Sequence, residues 1–213
     1  MTDTTVTPAA EPGFDRGYAA EQLRRSRHPL RRLIKGFYLR NLLADVRGAT
    51  IDFGCGAGQL LERLPAGSVG LEVNPHLIDA LRSRGLEVRL ARGETSDFDL
   101  AGFEAGRFRT LVISHVLEHL PDPAAALSRL LAACRRIGVE RVVAVVPTAK
   151  GFASDRTHKT YIDRRWVETR TAPRIEGYAR VRLAYFPGPW AWVGRHYTFH
   201  EMKLVYDRVA GGS

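Results

Sequence analysis

Short apolar runs and stretches of helical periodicity take turns along the middle of this chain. Residues 50–53, 68–74, 86–92, 108–114 and 141–146 read as strands, with the fourth and fifth essentially apolar, as strands covered on both faces must be. Between them, Asn74-Pro75 predicts a helix start and Gly85 its end, following the proline-first, glycine-last asymmetry. Asp122-Pro123 opens another helix, in which Ala126, Leu127, Leu130, Leu131, Cys134 and Ile137 form one stripe. Arg135 and Arg136 sit in its last turn and Gly138 closes it. Residues 59–64 predict a helix after the first strand. Near the N-terminus, Leu30, Leu33, Ile34, Phe37, Tyr38 and Leu42 recur at helical spacing. Residues 178–185 and 197–206 read as late strands, too close for a crossover helix and therefore antiparallel. The alternation implies right-handed crossovers and a doubly wound parallel α/β sheet with helices on both faces.

The first strand runs into Gly54-Cys55-Gly56-Ala57-Gly58, three glycines at alternate positions. Glycines let the backbone turn sharply and approach a ligand closely. A dinucleotide loop would put its third glycine three residues after the second, and a triphosphate loop would end in Gly-Lys-Ser or Gly-Lys-Thr; neither pattern is met. Asp52 before the turn and Glu72 at the end of the second strand supply carboxylates instead. An acid there can grip both hydroxyls of a ribose. A ligand with a cationic end and a ribose fits this arrangement better than a phosphate.

Composition sets the class. The 213 residues, 45% hydrophobic and 26% charged, suit one soluble globular domain. Residues 1–16 read as a polar tail without the apolar core of a secretion signal, 17–47 as a basic amphipathic helical segment, and 48–213 as the domain. The two cysteines, Cys55 and Cys134, suggest neither a disulfide framework nor a zinc site, which points to a cytoplasmic setting. No apolar stretch reaches membrane-spanning length. Segment 17–47 holds eight basic residues and two acids, a net +6 of the chain's +9. Its arginines are expected to lie in water while its apolar face packs on the domain. Residues 23–43 could also touch an anionic membrane surface, a nucleic acid or an acidic substrate.

Strand, glycine turn, helix and acid-ended strand together resemble the class I S-adenosylmethionine-dependent methyltransferases, over about residues 48–148 and more weakly beyond. The resemblance implies a Rossmann-like fold of five parallel strands followed by a reversed C-terminal edge hairpin. It implies S-adenosyl-L-methionine as cofactor, with Asp52, Gly54, Cys55, Gly56 and Gly58 at the methionine part and Glu72 at the ribose. Gly93-Glu94-Thr95 is similar to the family's adenine segment, Glu94 replacing Asp. Ser114 and His115 match the strand-four motif that lines the methyl-donor pocket.

Methyl transfer from a sulfonium asks mainly for alignment of the nucleophile and exclusion of water. An oxygen acceptor profits from a base, and His115 or His158 is the expected one. Phe186, Trp190, Trp192 and Tyr161 form either an apolar lid or core beneath the late hairpin. The leading expectation is methylation of a small molecule, a lipid-linked group or a glycan, on oxygen. An RNA acceptor is the second reading. His115, Glu118, His119 and His158 resemble the metal-binding set of small-RNA 3′-terminal 2′-O-methyltransferases, but His115 stands where a Glu belongs, and Leu-Glu-His triplets are common in metal-free relatives. A metal-free site is therefore expected. A third reading is a cofactor-binding partner subunit without catalysis.

Overall fold

The computed structural model describes residues 29–209, together with residues 16, 17, 20 and 24. Residues 1–15 of the predicted tail and most of segment 17–28 lie outside the described residues. Among the described residues eight strands form one sheet: β1 (Thr50–Phe53), β2 (Val69–Glu72), β3 (Val88–Leu90), β4 (Thr110–Ser114), β5 (Arg141–Pro147), β6 (Arg174–Ile175), β7 (Tyr178–Phe186) and β8 (Glu201–Arg208). Their spatial order is β3-β2-β1-β4-β5-β8-β7-β6. The first five are parallel; β8 runs antiparallel to β5 and to β7, and the two-residue β6 closes the edge. The last long strand thus inserts between β5 and β7, so the late hairpin is stitched to the parallel sheet by its second arm.

The helices are α1 (Pro29–Leu43), α2 (Pro75–Arg82), α3 (Pro123–Ile137), α4 (Ala149–Ala153) and α5 (Arg164–Arg170). Asn74 caps α2 through its side chain, which accepts from the His76 amide, and Asp122 caps α3 by accepting from the Ala125 amide. Gly138, at φ 85°, ends α3 as expected.

Alternation along the strands divides the core. Ile51, Leu111, Ile113, Val142, Ala144 and Val146 face α3, whose Leu127, Leu130, Leu131, Cys134 and Ile137 pack against them. Val112, Val143 and Val145 face the other way, onto Leu39 and Leu42 of α1. On that side α2 seals Cys55 and Val88 with Leu77, Ile78 and Leu81. Helices therefore cover both faces. None of them, among the described residues, is long and apolar enough to cross a membrane.

Two expectations are corrected. Residues 59–64 form only one 3-10 turn, Leu61–Arg63, and Leu64 is already extended. Pro65 is the reason, because the residue before a proline is driven out of the helical region. On α1, Tyr38, Leu39 and Leu42 turn inward while Phe37 is 69% exposed, so the apolar stripe is rotated by one residue. The side chains of Leu30, Leu33 and Ile34 lie outside the described residues.

Candidate active site

Because β1, β2, β4 and β5 are parallel, their carboxyl ends share one edge of the sheet, and antiparallel β8 brings its first residue, Glu201, opposite Pro147 at that edge. The glycine turn crosses over the end of β2. The amides of Gly54 and Cys55 both donate to Leu71 O, and Gly56 N–H donates to Glu72 Oε2 at 2.7 Å. Glu72 Oε1 accepts from Asn74 N at 2.9 Å. Glu72 is buried; burial pushes its carboxyl pKa up, and these backbone donors oppose the rise. Asp52, 3% exposed, stands beside it in register with Gly70.

Gly54, Gly56 and Gly58 have φ of 78°, 52° and 74°. A Cβ on Gly54 would meet Val116 Cγ2 at 2.5 Å, and one on Gly58 would meet Leu81 Cδ2 at 2.5 Å. These two glycines are therefore required by the protein's own packing, leaving their backbones to line the turn. Cys55 is buried among Leu61, Leu77 and Leu81, and burial drives its thiol pKa up, so only its backbone can meet a ligand. Arg84 does approach the turn, but its guanidinium donates to Ala57 O at 2.9 Å and pairs with Glu62. The side chains left at the turn are two buried carboxylates, acceptors unsuited to a phosphate and suited to a cationic nucleoside.

The Gly93-Glu94-Thr95 segment is ordered by a residue the sequence reading missed. Asp97 accepts from the amides of Arg92, Gly93 and Glu94 at 3.0, 2.8 and 3.1 Å, leaving Glu94 exposed at the start of a 3-10 turn.

Beyond β4 the chain folds sharply. His115 adopts φ 56°, a left-handed conformation a non-glycine residue holds at a cost of about 1–3 kcal/mol. Its amide donates to Val145 O, and the next residue, Val116, is the one a Cβ on Gly54 would meet. His115 Nδ1 lies 3.2 Å from Glu118 Oε1 and Nε2 lies 3.4 Å from Glu201 Oε1. Burial pushes the imidazole pKa down, but Glu201 and Glu118 outweigh it and hold the value up at about 10. Both ring nitrogens thus face carboxylates, an arrangement that favours the imidazolium. Tyr38 comes in from α1, its ring 5.9 Å from His115, and its phenol hydrogen-bonds the Ser114 hydroxyl.

Glu118 is fully buried and, among the described residues, its Oε2 has no hydrogen-bond partner. His158, on the loop after α4, donates from Nδ1 to Phe152 O at 2.8 Å, with Nε2 3.8 Å from Glu118 Oε1. His119 stacks edge-on against His158, centroids 4.7 Å apart. The structure thus brings His115, Glu118, His119, His158 and Glu201 together. Glu201 and Tyr38 were not foreseen as site residues. The aromatic alternatives separate: Phe186 is core, whereas Trp190 and Trp192 are 60% and 61% exposed and Tyr161 is 39% exposed.

Residues 24–176 match the model of a family described as methyltransferase domain. A ubiquinone biosynthesis O-methyltransferase of Xanthomonas oryzae pv. oryzae is 36% identical over 99 residues, 44% of this chain and 40% of that protein. The same enzyme of Hahella chejuensis is 36% identical over 92 residues, 41% and 37% respectively. The chain's matched segment spans about two fifths of these relatives. Among solved structures, an S-adenosylmethionine-dependent methyltransferase from Archaeoglobus fulgidus superposes with TM-score 0.64 at 20% identity, covering 91% of this chain and all of its own. The N-methyltransferase NodS from Bradyrhizobium japonicum, bound to S-adenosyl-L-homocysteine, gives 0.57 at 17%, covering 90% and 97%. They share this sheet.

Proposed function

The chain belongs to the methyltransferase-domain family, and from that premise we propose that it transfers the methyl group of S-adenosylmethionine to an oxygen of a small acceptor. The carrying observation is the glycine turn closed by its own amide onto Glu72, at the same sheet edge as the imidazole–carboxylate cluster. The bound cofactor supplies an activated, cationic methyl. Asp52 and the backbone of Gly54 to Gly58 hold its amino-acid end. Glu72 accepts from the amides of Gly56 and Asn74, and its further acceptor capacity would take the ribose hydroxyls. Exposed Glu94, at the adenine end, is held by the Asp97-centred turn.

On the acceptor side, Ser114 is fixed by Tyr38 and His115 is fixed between Glu118 and Glu201, so the wall facing the methyl is rigid before any acceptor arrives. Attack by a hydroxyl releases a proton, and the cluster around buried Glu118 is the place that receives it. Trp190, Trp192 and Tyr161 are exposed rings on which a small aromatic or lipid-linked acceptor would pack. The relatives named as ubiquinone biosynthesis O-methyltransferases support an oxygen acceptor of that kind.

Calorimetry with S-adenosylmethionine and S-adenosylhomocysteine is the first test. Wild type is expected to bind both, and Glu72→Ala to weaken binding at least tenfold, about 1.4 kcal/mol, through the ribose and the loosened turn. Labelled donor incubated with metabolite, lipid and nucleic-acid fractions should then mark the first two. No binding of either ligand by wild type sinks the reading.

A further inference from the structure

Glu118, His119 and His158 come from two separate stretches of chain, yet their ligand-type atoms all lie within 4.8 Å of one another. We propose that these three side chains hold one divalent transition-metal ion of the zinc and manganese class.

Glu118 is fully buried, and its Oε2 is an oxygen with no hydrogen-bond partner among the described residues. A buried carboxylate oxygen left without a donor or a cation is costly, and a metal ion at this point removes that cost. His158 gives its Nδ1 proton to Phe152 O at 2.8 Å, so its Nε2 carries the lone pair, and this nitrogen is the one facing Glu118. His119 is set the same way by a longer relay. Thr157 Oγ1 donates to Asp155 Oδ1 at 2.7 Å, so it accepts from His119 Nδ1, 3.1 Å away. His119 therefore also presents an Nε2 lone pair. An imidazole whose far nitrogen is tied to a backbone carbonyl or to a carboxylate-backed hydroxyl is what a metal-ligating histidine has around it. Two imidazoles prepared in this way beside one buried carboxylate make a ligand set, whereas two histidines packed for shape alone would not need both Nδ1 protons engaged.

The donors also select the ion. One carboxylate and two imidazoles suit zinc, manganese or iron, and are a poor cage for magnesium, which asks for oxygen ligands in near-ideal octahedral order. Three protein ligands leave a position open, as in catalytic and not structural zinc sites. Metal–ligand bonds of about 2.0–2.2 Å require the three donors to close to about 3.5 Å or less, which small side-chain rotations supply. His115 is not a ligand, because both of its ring nitrogens are turned to carboxylate oxygens, one on Glu118 and one on Glu201.

The readout is metal content, which does not depend on the proposed acceptor or on cofactor binding. The full chain, stripped with a chelator, is dialysed against Zn²⁺, Mn²⁺ and Mg²⁺ and analysed by mass spectrometry and calorimetry. One Zn²⁺ or Mn²⁺ per chain is expected, with Mg²⁺ far weaker. His119→Ala and His158→Ala should each lower affinity at least tenfold with unchanged circular dichroism, and Thr157→Val about tenfold through the lost second contact. His196→Ala, a change at an exposed histidine, should bind like wild type. Co²⁺ added to wild type should give the d–d absorption of a nitrogen- and oxygen-ligated ion, which tests the site even if a variant misfolds. No stoichiometric binding of any transition ion, tighter binding of Mg²⁺ than of Zn²⁺, or unchanged affinity in both histidine variants overturns the proposal. A chain that binds zinc but not S-adenosylmethionine leaves this site standing and removes the function proposed above; the reverse result removes only the site.

Discussion

At Gly54 the backbone is held at φ 78° and a side chain would strike Val116 Cγ2 at 2.5 Å, so two independent penalties meet at one atom. The left-handed conformation costs a residue with a Cβ about 1 kcal/mol, and forcing Val116 aside costs about 1–3 kcal/mol more. Gly54→Ala is accordingly expected to lower unfolding free energy by about 3 kcal/mol, measured as a shifted urea midpoint. Adding Val116→Ala should return the steric part and leave the conformational part, a non-additivity that a purely ligand-lining glycine would not produce. Equal destabilisation in the single and double variants would mean that Val116 is not what the glycine accommodates. Gly54 also shows what a motif hides. The tight turn it makes was legible, since three glycines in five residues follow a strand. Its contact with Val116 was not, because that neighbour is 62 positions away and reaches it only through the pairing of β1 with β4.

At the scale of elements, α1 is fastened to the sheet by a buried charge network as well as by Leu39 and Leu42. Asp45, just past the helix and 1% exposed, receives Arg182 Nη2 at 2.7 Å from β7 and Lys203 Nζ at 2.6 Å from β8, with Arg141 Nη1 at 3.6 Å from β5. Lys203 is itself 3% exposed and also donates to Asn41 O at 2.9 Å. Removing one partner of a buried ion pair strands the other, at a typical cost of about 3–5 kcal/mol. Asp45→Ala is expected to fall in that range by chemical denaturation, with faster amide exchange in α1. Arg164→Ala, which breaks a pair that is more than half exposed on both sides, should change stability by less than about 0.5 kcal/mol. If the two variants behave alike, the network does not anchor the helix. The same elements mark the boundary of what patterning could reveal. Strands β1 to β5 and the caps of α2 and α3 are local events, written in apolar runs and in Asn74, Asp122 and Gly138. The apolar spacing of residues 59–64 suggests a helix, but Pro65 stops it after one 3-10 turn. Tyr38 and Glu201 escaped notice because the first looks like one more apolar helix residue and the second like a strand-end charge. Only the docking of α1 on β4, and the insertion of β8 beside β5, turns both toward His115.

The whole molecule gathers its chemistry along one edge of the sheet and its excess charge at the N-terminal end, and the two need not serve the same purpose. Eight basic residues in segment 17–47 give most of the net +9, the pattern expected of a chain that either tracks a phosphate backbone or keeps a solvated cationic face. The alternatives differ in how activity responds to salt. An enzyme gripping RNA through six or more of those residues would release a counterion at each phosphate and lose about 10³-fold or more in affinity between about 50 and 200 mM salt. An acceptor recognised by apolar contact with Trp190, Trp192 and Tyr161, and by hydrogen bonds inside the cleft, involves no such release. Methyl-transfer rates at limiting acceptor are therefore expected to change by less than about threefold over that interval, and to strengthen slightly as salt favours burial of apolar surface. A steep log–log decline would transfer the acceptor to the nucleic-acid class while leaving Glu72 and the glycine turn in their places. Substituting four of the arginines, Arg24, Arg25, Arg31 and Arg32, by glutamine distinguishes the two on independent grounds. A solvated face predicts unchanged kcat/KM for a small acceptor, whereas a phosphate-tracking one predicts both weaker binding and a shallower salt slope.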